Sequence, residues 1–462
     1  MMPAWVRTVC DVPQTVYPAA WPMTPVARPG LLLEGAREIV TLAGGLRRGT
    51  AQGQVATMSA ADGGLAVACW EGQIVLAGRR DEVLRRLAAK GLDPGDGARF
   101  ARLDVAGGTV TPGLIDPHTH LVFAGSRESE IELRRRGATY LEILAAGGGI
   151  LSTVAATRLA SVDELVTQGR RWLLEMLRHG ATTVEAKSGY GLERAAELRQ
   201  LEAIGRLDAE GPVELVPTFL GAHAVAPEFR GRPNATDAYV RDVIEVQLPA
   251  VAAQRIARFC DVFCEQGVFT VDQSRQVLLA GARLGLGPRL HADELRPSGG
   301  AELAAELGAL AADHLGVPSA AGIDALAGAA DAGTAVVATL LPATSLFLKG
   351  EEYGPARELI DRGVPVALGT DFNPGTSPVP NLHLVLSLAV LRMGLTPSEA
   401  LAAVTVNAAH ALGLGDSHGT IEPGRQADLV AWDVPAHGQV PYWLGAGLVR
   451  AVVKRGRVVG ID

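Results

Sequence analysis

The sequence predicts an α/β fold: a (β/α)8 TIM-like barrel joined to a small β-sandwich built from both chain ends. Three patterns lead to it. Eight short apolar runs alternate with helical patterns through the middle of the chain, as a parallel sheet with crossover helices requires. Histidines and acids recur just after those runs, where a barrel of this type gathers its chemistry. Both ends of the chain carry hairpin patterns instead of helical ones.

In chain order, the start contains Pro3, Pro13, Pro18, Pro22, Pro25 and Pro29 and no basic-then-apolar leader design, so residues 1–31 are expected to be a poorly ordered extension. Residues 32–108 and 417–462 are expected to form the composite sandwich. Leu65–Trp70 and Gln73–Ala77 pair across Glu71-Gly72, and Arg450–Lys454 and Arg457–Gly460 pair across Arg455-Gly456. The stretch Ala51 to Gly64 is polar and poorly patterned and reads as an insertion. Residues 109–416 are expected to form the barrel. Its strands fall near Thr109–Ile115, Ala181–Ala186, Val213–Phe219, Phe259–Cys264, Pro288–Leu290, Leu310–Ala312, Ala335–Leu340 and Pro365–Gly369. Between them, Ser161-Val-Asp-Glu164 is a capping box followed by an apolar stripe of Leu165, Trp172, Leu173, Met176 and Leu177. A second box, Thr396-Pro-Ser-Glu399, opens an alanine-rich helix expected to stop at Gly413.

Composition narrows the function. With 42 basic against 50 acidic residues, a net charge of −8 and no long run of Lys or Arg, nucleic acid and anionic membrane are not expected partners. No stretch reaches the roughly 18 apolar residues of a spanning helix. Four cysteines in 462 residues make no disulfide framework and suggest the cytoplasm. Cys260 and Cys264 share one side of a strand and read as small buried hydrophobes.

The chemistry lies at the strand ends. The first barrel strand runs into Asp116-Pro-His118-Thr-His120, and residues two apart on extended chain point the same way, so His118 and His120 can share one ion. His291 ends the fifth strand, His314 the sixth, and Asp371 follows the eighth. Three imidazoles and a carboxylate suit one divalent metal ion, Zn2+ or Fe2+, holding a water. His118, His120, His291 and Asp371 are therefore the expected ligands. His179, before a glycine at a helix end, reads as a helix terminus, and His383, His410, His418 and His437 match no ligand pattern.

Longer motifs then narrow the reading. Pro112-Gly-Leu-Ile-Asp-Pro-His-Thr-His120, Gly419-Thr-Ile-Glu-Pro-Gly424 and Ala427-Asp-Leu-Val430 resemble motifs of the amidohydrolase superfamily. Phe123-Ala-Gly-Ser-Arg127, Lys187-Ser-Gly-Tyr-Gly191, Gly221-Ala-His-Ala224, His291-Ala-Asp-Glu294 and Asp371-Phe-Asn-Pro-Gly-Thr376 are similar to segments of the imidazolonepropionase family. The resemblance runs from about Leu32 to the end. It implies a single metal ion, a homodimer, and hydrolytic opening of 4-imidazolone-5-propanoate to N-formimino-L-glutamate.

That substrate is a small molecule with a carboxylate tail, which an Arg fork binds well. Arg127 and Tyr190 are expected at the mouth, and the resemblance gives both a substrate contact. Asn373, Gly375 and Thr376 offer an amide, a backbone N–H and a hydroxyl. The resemblance puts His223 against substrate and not on the metal. His314 is expected to stabilise a developing oxyanion. Asp371 and Glu294 are both candidates for moving the proton, with Glu294 also contacting substrate. Lys187 is expected to be structural, and the glycines at 147–149 to form a mobile loop over the site. Competing readings are another cyclic amidohydrolase or a nucleobase aminohydrolase of the same superfamily, which would not need Arg127 and Tyr190 for a tail, and a non-catalytic scaffold, which would be expected to lack a ligand.

Overall fold

The computed structural model describes residues 29–137, 148–348 and 353–460. The expectations for residues 1–28 and for most of the loop before Gly149 fall outside them.

Eight parallel strands form the central sheet in chain order. To number them, the strands preceding them come first: β1 (Gly30–Ala36), β2 (Glu38–Val40), β3 (Thr57–Ser59), β4 (Leu65–Trp70), β5 (Gln73–Arg79), β6 (Phe100–Asp104) and β7 (Thr109–Pro112). The barrel strands are β8 (Leu114–Asp116), β9 (Ala181–Lys187), β10 (Glu214–Ala222), β11 (Phe259–Cys264), β12 (Gly287–Ala292), β13 (Ala311–His314), β14 (Val337–Leu340) and β15 (Val366–Leu368). Near-continuous burial along them follows from helices packed outside and side chains filling the inside.

The seam between β8 and β15 is closed by the chain just beyond each strand. His120 N–H donates to Phe372 O at 2.9 Å and Asp371 N–H to His118 O at 3.0 Å. The two segments that supply metal-type ligands are thus stitched to each other by backbone hydrogen bonds. Lower on the seam, the buried Gln52 side chain bonds both the N–H and the C=O of Val366, at 3.1 Å each. Residues 51–64, read as an insertion from their composition, thus reach the barrel seam through Gln52 and add the edge strand β3, which pairs with β2.

Three strands complete the chain: β16 (Leu429–Trp432), β17 (Val449–Lys454) and β18 (Arg457–Gly460). They join the N-terminal strands in a six-stranded sheet of order β18-β17-β16-β7-β2-β3, which faces a four-stranded sheet β5-β4-β1-β6. Leu31, Leu33, Ile39, Val67, Val110, Leu429 and Val453 pack between them. Both expected hairpins form, with positive φ at Glu71 and Gly72 (49° and 82°) and at Arg455 and Gly456 (49° and 69°), as a type I′ turn demands.

Two expectations need correction. Thr109–Ile115 is not one strand: β7 pairs with β16 in the sandwich, Gly113 N–H donates to Asp428 O, and only then does β8 enter the barrel. The alanine-rich helix before Gly413 breaks in two, Pro397–Ala403 and Val406–Ala411, because Val404 O leaves the helix pattern to accept Ile115 N–H at 2.8 Å. Both capping boxes are present. Among the described residues, no helix is long and apolar enough to cross a membrane.

Candidate active site

The expected ligands meet at the C-terminal rim of the barrel. His118 and His120 lie on the extended chain after β8, His291 is near the end of β12, His314 is the last residue of β13, and Asp371 follows β15. His314 and Asp371 adopt left-handed backbone, φ 75° and 52°, which costs of order 1–3 kcal/mol each and turns both side chains inward. All five are buried.

Their distances test the site for a metal. His120 Nε2 lies 3.3 Å from His291 Nε2. Asp371 Oδ1 lies 3.5 Å from both His118 Nε2 and His120 Nε2. Ligands about 2.0–2.1 Å from a shared tetrahedral ion sit roughly 3.3 Å apart, so the spacing fits. His118 Nε2, His314 Nε2 and Asp371 Oδ1 are buried polar atoms with no hydrogen-bond partner in the protein. Leaving such atoms unpaired is costly, and a cation at their focus removes the cost. Burial, reinforced by neighbouring positive groups, holds the His118, His120 and His314 imidazoles well below their usual pKa, so all three stay neutral, as His118 and His120 must be to ligate. A divalent ion therefore fits.

Behind the ligands stands a layer of charge that sequence reasoning missed. His118 Nδ1–H donates to Asp313 at 2.8 Å, and His291 Nδ1–H donates to Asp261 at 3.0 Å. These carboxylates set the tautomer and aim each Nε2 at the centre. Arg289, fully buried, donates to Asp313 and to the carbonyls of Pro117 and Ala411. Lys187 Nζ, also fully buried, lies 2.7 Å from Asp261 and 2.8 Å from Glu185. Burial opposes charge at Asp261, but His291 and Lys187 outweigh it and hold the carboxyl far below its usual range. The available clue was charge inside otherwise apolar strands: an aspartate within Phe259–Cys264 and an arginine within Gly287–Ala292.

Glu294 lies beside the centre, its Oε2 3.7 Å from His314 Nδ1. Burial, then the charge of Asp371, push its carboxyl up to about 8. Burial pushes Asp371 up to about 6, against a hydrogen bond donated by Thr344 Oγ1 at 2.7 Å.

The remaining candidates lie in the segments that follow β8, β9, β10 and β15. Tyr190 is buried, its ring centroid 5.7 Å from that of His120 and 5.5 Å from that of His223. His223 stacks on His120 with centroids 4.8 Å apart. Its Nδ1–H donates to Gly189 O at 3.0 Å, so its Nε2 is an acceptor, and it belongs to neither cluster of mutually close ligand atoms, His118-His120-His291 or His118-His314-Asp371. Glu197 shapes this loop by accepting the N–H groups of Gly189, Gly191 and Leu192.

Arg127 is nearly buried and forms a two-pronged pair with Glu130 at 2.9 Å. Its guanidinium lies over Gly375, where a Cβ would come within 1.9 Å of Nη1. Asn373, Gly375 and Thr376 differ from expectation in one respect: they bond one another. Asn373 Oδ1 accepts from Gly375 N–H at 2.8 Å and Thr376 N–H at 2.7 Å, and its Nδ2 donates to Thr376 Oγ1. The loop is a pre-formed turn held by these bonds. Cys260 and Cys264 are buried and unpaired.

Residues 297–459 match the family model described as the Amidohydrolase family. An imidazolonepropionase of Geobacillus kaustophilus is 50% identical over 432 residues, spanning 94% of this chain and 98% of that one. Another, of Symbiobacterium thermophilum, is 49% identical over 93% of this chain and 97% of its own. Among solved structures, an adenosine deaminase from Xanthomonas campestris with bound zinc is similar with a TM-score of 0.63 at 19% identity, covering 93% of each chain. A 5-methylcytosine deaminase from Klebsiella pneumoniae liganded with 5-fluorocytosine gives 0.65 at 18%, covering 93% of this chain and 97% of the other. At such identities these two structures speak to the fold alone.

Proposed function

The chain belongs to the imidazolonepropionase family, and from that premise we propose that it hydrolyses 4-imidazolone-5-propanoate to N-formimino-L-glutamate. The observation that supports this reading is the convergence of His118, His120, His291 and Asp371, with His120 Nε2 3.3 Å from His291 Nε2 and Asp371 Oδ1 3.5 Å from His118 and His120, beside the rings of Tyr190 and His223.

His118, His120, His291 and Asp371 would hold one zinc or iron(II) ion. When bound there, the ion supplies Lewis acidity and lowers the pKa of a water toward roughly 7. The chain's own groups do the rest. Asp371 Oδ1 faces the centre and takes a proton from the attacking water. The water oxygen adds to the ring carbonyl carbon, and the neutral His314, whose Nε2 is unpartnered in the protein, donates an Nε2–H to the oxygen on which charge develops. The ring C–N bond then breaks, and the leaving nitrogen takes a proton from Glu294, whose raised pKa keeps that proton near neutral pH. His223 Nε2 accepts from a ring N–H, and Tyr190 packs against the ring. Arg127 and the turn at Asn373, Gly375 and Thr376 receive the propanoate.

We assign the enzyme to the cytoplasm, where buried unpaired thiols at Cys69, Cys260 and Cys264 persist, and to a homodimer, which sedimentation tests. The activity test is incubation with freshly generated imidazolonepropionate. Loss of its ultraviolet absorbance with appearance of formiminoglutamate supports the reading. No turnover by metal-replete protein, or deamination of guanine or cytosine in its place, overturns it.

A further inference from the structure

Lys187 ends β9 at the floor of the site, fully buried. A lone ammonium there would be prohibitively costly. Three carboxylates surround it: Nζ lies 2.7 Å from Asp261 Oδ2, 2.8 Å from Glu185 Oε1 and 3.5 Å from Asp313 Oδ2. Two of those carboxylates are the ones that hold metal-ligand histidines. Asp261 Oδ1 accepts from His291 twice, from its Nδ1–H at 3.0 Å and its backbone N–H at 3.1 Å. Asp313 Oδ2 accepts from His118 Nδ1–H at 2.8 Å and from Arg289 at 2.9 Å.

We propose that Lys187 is a positioning residue for metal binding, a shared counter-ion that ties Asp261 to Asp313 and through them fixes His291 and His118 with Nε2 on the ion. The proposal rests on the reading of those histidines as ligands. Two carboxylates this close repel one another unless a cation lies between them. Arg289 hydrogen-bonds Asp313, Pro117 O and Ala411 O but not Asp261. Among the described residues, Lys187 is the cation that ion-pairs with both, from a strand that carries neither histidine. Without it, Asp261 loses the cation that fixes its Oδ2, and His291 loses a rigid acceptor that selects its tautomer. Removing an outer partner of a ligand commonly weakens metal affinity 10–100-fold. A plain structural ion pair, in contrast, can be replaced by apolar groups of similar volume with little change in the site.

The test is metal binding by protein first stripped with a chelator. Titration with Co2+ is followed by its visible absorbance and by competition with a chromophoric chelator. The unsubstituted protein is expected to bind one ion per chain. Lys187→Met is expected to weaken Co2+ binding about 10–100-fold and to alter the visible bands. That single change leaves an extra buried negative charge, so the pair Glu185→Gln with Lys187→Met, which removes one charge of each sign, is measured beside it. A folded double variant with unchanged affinity and spectrum overturns the proposal. One measurement needs no variant: 15N shifts of the histidines in the metal-free, unsubstituted protein are expected to show His118 and His291 held as Nδ1–H tautomers. Mixed tautomers overturn the proposal. His118→Ala separates the two levels. If it binds Co2+ as tightly as the unsubstituted protein, the ligand assignment itself fails; if it loses the ion while the Lys187 variants keep it, only the role of Lys187 fails.

Discussion

Arg127 and Glu130 form a nearly buried two-pronged pair beside the centre, so what a substitution does there depends on which partner is left behind. Arg127→Ala strips Glu130 of its guanidinium and should cost about 3–5 kcal/mol in stability. It should also raise KM for the propanoate substrate at least about tenfold, since a charge-assisted contact contributes about 1.5–3 kcal/mol. Arg127→Ala with Glu130→Ala should recover part of the thermal midpoint but not the KM. Steady-state kinetics and thermal melts separate the two effects, and an unchanged KM in both variants would remove Arg127 from the substrate site. Glycine at 375 is tied to the same guanidinium. A methyl there would come within 1.9 Å of Arg127 Nη1, and the pair with Glu130 restrains the guanidinium from moving aside. Gly375→Ala should therefore raise KM while leaving metal content at one ion per chain, as metal analysis would show.

At the scale of elements, the loop from β9 into the next helix carries Tyr190 and, through Gly189 O, sets the tautomer of His223. One buried carboxylate, Glu197, satisfies three of its backbone N–H groups. An amide in its place turns an N–H2 toward N–H donors, so Glu197→Gln should raise KM roughly tenfold, with Co2+ affinity unchanged because no metal ligand moves. A wild-type KM would mean that the loop's shape does not matter to substrate. Much of this architecture was legible in the chain. A period-two His-x-His at a strand end and histidines or acids after four further strands signal convergence, because the fold itself brings strand ends together. The hairpins were legible because Glu-Gly and Arg-Gly turns between short strands have few other conformations. What was not legible depends on partners distant in sequence. Asp261, Arg289 and Lys187 look like charges misplaced in apolar strands until the layer they form is assembled. Gln52 sits in a stretch with no periodicity because its task is to cap Val366, far along the chain. Thr109–Ile115 reads as one strand because nothing local says that its first half pairs with β16 and its second with β9.

For the whole molecule, sandwich and barrel are locked by a buried charge cluster. Lys454 on β17 reaches Glu214 at 3.1 Å, at the start of β10, and Asp428 at 2.7 Å. Burial opposes the charge on Glu214, but His418, Lys454 and Gln426 outweigh it and hold its carboxyl far below the usual value. A depressed carboxyl adds stability that is fully present above its unfolded pKa, about 4.3, and is lost as pH falls toward the folded value. The thermal midpoint should therefore drop as pH falls below about 4.5. Glu214→Gln should be less stable at pH 7 and lose less on acidification; parallel curves would show that the clasp does not contribute. Metal stripping should act on the same quantity. An ion present at about 1,000 times its Kd stabilises the fold by about 4.1 kcal/mol, so chelation should lower the melting temperature and abolish turnover, and Zn2+ or Fe2+ should restore both. Finally, Trp432 Nε1–H donates to Thr111 Oγ1 across 321 residues of chain, inside the sheet that β7 and β16 share. During synthesis the ribosome has delivered every barrel strand before β16 emerges, so β7 waits through all of it with one edge bare. A nascent chain stalled near residue 420 should thus remain open to protease through residues 30–112, while the released chain resists.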